Sequence, residues 1–99
     1  AMYKYKPDVA LKVLREMIDA ADKWMRVSAV WALGEIGSDD GAQILLDLRD
    51  DPEYHVRRRV YKSLQKFQET RKDDMPAELR DVVDKAVREL AAAEPQAQG

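Results

Sequence analysis

The chain carries two copies of one segment. Met25-Arg26-Val27-Ser28-Ala29-Val30-Trp31-Ala32-Leu33 aligns with Val56-Arg57-Arg58-Arg59-Val60-Tyr61-Lys62-Ser63-Leu64 at an offset of 31 residues. Carried backward, the same offset places Val13-Leu14 over Ile44-Leu45, Met17 over Leu48 and Asp19 over Asp50. A unit of this length holds one helix pair, which has too little apolar surface to close a core alone. Each pair must therefore bury its face on its neighbour, which is the logic of a helical-repeat solenoid.

The apolar pattern between turn signals has period 3.6. Val9, Val13, Leu14, Met17 and Ile18 make one stripe; Val27, Val30, Trp31, Leu33 and Ile36 make a second. Ile44, Leu45 and Leu48 make a third, and Val56, Val60, Leu64 and Phe67 a fourth. Leu79, Val82, Val83, Ala86, Val87 and Leu90 make the last. Turn residues separate them: Gly37 and Gly41 around Ser38-Asp39-Asp40, Pro52 after Asp50-Asp51, and Pro76 after Asp73-Asp74-Met75. Each cluster joins a potential helix cap to a helix breaker or starter. The spacing predicts an all-α chain of five helices near 7–20, 23–36, 40–49, 53–70 and 76–93, with no strands. Short connections make consecutive helices antiparallel. Residues 1–93 are expected to form one repeat domain, and 94–99 a disordered tail with nothing to bury.

Composition narrows the function classes. Apolar residues at 45% and charged residues at 36% suit an ordered, water-facing chain and argue against global disorder. The net charge of −2 recommends neither nucleic acid nor an anionic membrane. Cysteine is absent, which removes disulfides, thiol catalysis and thiolate metal sites. No apolar run approaches the roughly 18 residues of a membrane span. Ala1 to Lys6 has no hydrophobic stretch of signal type, so the default expectation is a cytoplasmic protein.

The stretch from Arg26 to Ser38, followed by a helix and then Asp50-Asp51-Pro52-Glu53-Tyr54-His55-Val56-Arg57, resembles HEAT repeats. The similar variant is the short one named after phycocyanobilin lyases, with Asp-Pro, Val-Arg, small residues and then Ala-Leu-Gly-x-Ile-Gly. The specific match covers about residues 22–64, and the second copy departs from it: Gln65 stands where Gly34 stood, and Arg59-Val60 replaces Ser28-Ala29. The resemblance implies a non-enzymatic scaffold that binds proteins. It also implies that Arg26 and Arg57 are structural, facing carboxylates among Asp22, Asp50 and Asp51. Small residues at Ser28, Ala29 and Ala32 admit a close neighbour, Gly34 relieves crowding, and Gly37 supplies a left-handed helix end. Gly34, Gly37, Asp51 and Pro52 thus belong to the repeat's framework. In such solenoids the second helix of each pair lines the concave face. Here those are helices one, three and five, exposing Lys12, Glu16, Asp19, Gln43, Asp47, Asp81, Asp84 and Lys85. The first helix lacks a partner before it, so it is either a cap or the cut edge of a longer solenoid, its apolar side covered by Tyr3 and Tyr5 or by a partner.

Chemistry finds little support. His55 is the only histidine, and Ser28 and Ser63 occupy mid-helix packing positions instead of a nucleophile turn. The acidic pairs read as helix caps, without the ligand spacing of a calcium loop. No cofactor or metal is implied.

Two features remain. From Tyr54 to Lys72 the chain is net +6, while residues 39–53 are net −5. Arg58, Lys62 and Lys66 form a basic stripe, either a solvated face or a patch for nucleic acid or an acidic partner. Trp24 and Trp31 share one face of the second helix, where core packing is the expectation and a surface anchor the alternative. The expected function is protein binding through the concave face or this basic helix. Nucleic-acid binding and a bilin-lyase-like accessory role are the alternatives, the latter implied only by the resemblance.

Overall fold

The computed structural model describes residues 7–19, 22–71 and 73–93, with only the backbone described for 7–10. Among them, α1 (Pro7–Ile18), α2 (Lys23–Ile36), α3 (Asp39–Asp47), α4 (Tyr54–Thr70) and α5 (Ala77–Ala93) follow in order, with a 3-10 turn at Leu48–Asp50 and no strand. α1 packs on α2, α2 on α3 and α4, and α5 on α4 and α3. The molecule measures 43 × 35 × 22 Å, the short dimension matching two layers of helices about 10 Å thick. The proposed cover from Tyr3 and Tyr5 and the tail at 94–99 lie outside the described residues.

Local chemistry explains the helix ends. Asp22 caps α2 by accepting from the Trp24 N–H at 2.8 Å. Gly37 closes it at φ 70°, donating to the Leu33 carbonyl at 3.1 Å. No atom lies within 4 Å of a Cβ added at Gly37, so alanine there meets only backbone strain. Gly37→Ala is therefore expected to cost about 1 kcal/mol in urea unfolding, with Gly37→Asn milder because Asn tolerates this conformation.

The acidic pairs do not all cap, contrary to expectation. Ser38 caps α3 with its hydroxyl, accepting from the Gly41 N–H at 2.9 Å, and Asp39 and Asp40 occupy the first turn. There their charge meets the positive end of the helix dipole. Asp51 accepts from the Glu53 N–H at 2.9 Å just before α4. Asp74 instead pairs with Arg71.

Phe67, Leu33, Leu45, Leu64, Val30, Val56, Val60 and Val83 are fully buried between the layers. Leu46, outside the expected stripe of α3, is also buried. Val13, Trp31, Ile36 and Val82, assigned to stripes, are exposed. Each stands at the margin of its helix's apolar arc, and the facing helix covers only the centre, such as Leu14 beside Val13.

The α2–α4 interface is the most extensive in the molecule. Its closest approach is at Gly34, where an added Cβ would lie 2.8 Å from the Cβ of Ser63. Ser63 is itself buried and donates its hydroxyl to the Val30 carbonyl at 3.1 Å. Ser28, expected among the small packing residues, is exposed, while Ala29 is fully buried.

Candidate interaction surface

Two arginine clusters set the angle between the helix pairs. Arg26 of α2 grips Asp51 with Nε at 3.1 Å and Nη2 at 3.4 Å. Arg57 of α4 donates to the backbone carbonyl of the same Asp51 at 2.7 Å, so its partner is a peptide oxygen and not the carboxylate expected. Both arginines thus converge on the turn containing Pro52. At the opposite end of α4, Arg71 reaches Asp74 at 2.6 Å, Asp39 at 2.8 Å and the Gly37 carbonyl at 2.7 Å. Asp74 foremost, then Asp39, raise its already high pKa. Arg71 was legible in the sequence only as one cation among several; its three contacts depend on where the α2–α3 turn falls.

The concave-face candidates lie on three helices. Lys12, Glu16 and Asp19 at α1, Gln43 and Asp47 on α3, and Asp81 and Lys85 on α5 are exposed. Asp84 departs from the expected outward placement: it is partly buried and accepts from Gln68 of α4 at 2.7 Å. A shallow hollow of about 280 Å³ between Arg49 and α5 is lined by Asp81, Val82, Lys85, Ala86 and Glu89. Its mixed charges give it no single preference.

The basic stripe of α4 is less available than its sequence suggests. Arg58, Lys62 and Lys66 are all exposed, but Lys66 is paired with Glu35 of α2. Arg57 and Arg71 are committed to the turns, and Arg58 contacts the Tyr54 hydroxyl at 3.4 Å. Lys72 lies outside the described residues.

The tryptophans overturn the core-packing expectation. Trp24 is 54% and Trp31 51% exposed. Trp24 leans on His55 with ring centroids 5.1 Å apart, and Tyr54 meets the other side of that imidazole at 5.6 Å. Trp31 instead borders a groove of about 560 Å³ between α1, α2 and α4, whose walls are Leu14, Met17, Val27, Ser28, Ala32 and Arg59. Arg59 stands at the repeat position of Ser28, so the alignment already marked a large cation where the first copy has a small residue. Its buried Nε makes no hydrogen bond.

No group of residues able to hold a metal occurs among the described residues, and none of their helices is long and apolar enough to cross a membrane. Comparison with curated proteins and with solved structures returned no significant match. The family model for HEAT repeats matches residues 11–94, taking in nearly all of the α1–α5 stack. The chain belongs to the HEAT repeat family.

Proposed function

We propose that this chain is a non-enzymatic protein-interaction module whose working surface is the outer side of α1 and α2. HEAT repeats generally mediate protein–protein interaction. The observation that carries the reading here is the concentration of exposed apolar side chains. Val13, Trp24, Met25, Trp31 and Ile36 all belong to α1 or α2, whereas only Val82 represents α5 among the large exposed hydrophobics of the described residues. Clustered apolar exposure beside a groove marks a surface that a partner covers. This moves emphasis away from the concave α3–α5 face, where polar residues prevail.

Nucleic-acid binding through α4 loses support, because Arg57, Lys66 and Arg71 already have partners within the chain. The bilin-lyase-like alternative gains no residue from the geometry.

The reading is tested by affinity capture from the source lysate with nuclease present, comparing the native chain with Trp31→Glu. The expected result is a protein recovered by the native chain and lost with the variant, whose far-ultraviolet circular dichroism is unchanged. Recovery that disappears on nuclease treatment, or identical recovery by both forms, would sink it.

A further inference from the structure

We propose that the α1–α2–α4 groove binds an acidic, apolar segment of a partner protein, with Trp31 covering its apolar side chain and Arg59 pairing its carboxylate. This rests on the interaction-module reading and names the partner's chemistry. The groove's floor is aliphatic, from Leu14, Met17, Val27 and Ala32, which suits a bulky apolar side chain. Trp31 at its edge offers a rigid ring, half of it still facing water. Association recovers that unburied area at little cost in side-chain order.

Arg59 selects the charge of the occupant. Its guanidinium lines an otherwise apolar groove, and the buried Nε has no acceptor. A buried donor without an acceptor is costly, and the planar fork of arginine is matched by a carboxylate on two parallel bonds. Turning the last torsions of the side chain presents the Nε edge to a carboxylate seated in the groove. Lys62, three residues on along α4, is exposed and has no ion pair among the described residues. The groove therefore presents two uncompensated cations beside an apolar floor. That count fits a peptide with one or two acidic residues flanking an apolar anchor. A polyphosphate chain would demand a longer row of available cations, and the acidic stretch 39–53 would repel it.

The test is selection of short random peptides displayed on phage against the native chain, followed by titration of the best synthetic peptide. Trp31 emission serves as the reporter in a Trp24→Phe background. The expected peptides pair Asp or Glu with a bulky apolar residue and shift Trp31 emission to the blue as water leaves the ring. Arg59→Met should weaken binding about tenfold, the scale of a lost charge-paired anchor, and added salt should weaken it further. If Arg59→Met does not fold, Arg59→Lys decides, since it keeps the charge but loses the fork; severalfold weaker binding is expected. Val82→Ala, on α5, should bind as the native chain does.

Selected peptides without acidic residues, or equal binding by the Arg59 variants, would overturn the proposal. So would a mixed-sequence DNA duplex that displaces the peptide at lower concentration, or a dimer in sedimentation that buries Trp31 against a second copy. Peptides sensitive to Asp47 or Val82 substitutions but not to Trp31→Ala would overturn the groove while leaving the interaction module standing. An empty selection also overturns the proposal, and it takes the module reading with it only when the lysate capture is empty as well.

Discussion

Gly34→Val is expected to lower stability by about 2–3 kcal/mol, and the melting temperature by about 10–20 °C, because it drives two helices apart at their closest point. A Cβ at this position would sit 2.8 Å from the Ser63 Cβ, 2.9 Å from its Oγ and 3.2 Å from its Cα. The last of these is backbone-attached, so no rotamer change at Ser63 relieves it. The informative companion is Gly34→Ala. Helix propensity alone predicts a gain of about 1 kcal/mol from replacing a mid-helix glycine. Steric exclusion predicts a loss. The α2–α4 interface carries much of the core, including Val30, Val56 and Val60, and separating it loosens all of them together. We therefore expect Gly34→Ala to destabilise, and Ser63→Gly to recover part of the loss in the double variant despite deleting the hydrogen bond to Val30. Thermal and urea unfolding measure all three, and a Gly34→Ala variant more stable than the native chain would refute the argument.

Asp51→Ala should be nearly as damaging, at about 2–3 kcal/mol, by the different route of removing one partner from a shielded ion pair. The side chain of Asp51 is 7% exposed and that of Arg26 14%, so water replaces little of what is lost. One carboxylate serves two elements: it accepts from Arg26 of α2 and from the Glu53 N–H that leads into α4. Truncation leaves a largely covered guanidinium without its carboxylate and frees the turn that sets the direction of α4. Asp51→Asn retains an acceptor for Glu53 and should lose less. Arg26→Met removes the stranded cation, so the Asp51→Ala/Arg26→Met pair should lose less than the sum of its parts in a double-mutant cycle. A change within about 0.5 kcal/mol for Asp51→Ala, the range of ordinary surface substitutions, would show that the clamp contributes nothing to folding.

These two positions also bear on binding. The groove takes its walls from α1, α2 and α4, so its width depends on how α2 and α4 cross at Gly34 and how the Asp51 turn holds them. Substitutions there should alter affinity without touching the occupant.

What the chain determines locally, its sequence displayed openly. The repeat offset of 31 residues marked equivalent positions, and the 3.6 period marked helices; the expected second helix at 23–36 coincides with α2. Gly37 ends α2 because only a residue without a Cβ takes φ 70° without strain, a property of one residue and its own backbone. Even the Lys66–Glu35 pair follows from the repeat, since the two side chains occupy equivalent positions of adjacent helices with opposite charge. Tertiary structure decided the rest. Trp24 and Trp31 were legible as sharing a face, but whether that face is core or surface depends on how much of it α1 and α4 cover. Val13 and Val82 satisfied the apolar period and still stand in water. Asp84 looked like an outward acid until α4 placed Gln68 against it. Arg59 was visible as an intrusion at a small-residue position, yet its groove exists only because three helices leave a gap between them. Backbone phase is a short-range property carried by neighbouring residues, whereas burial is shared between helices distant in sequence, and the candidate site is made of burial.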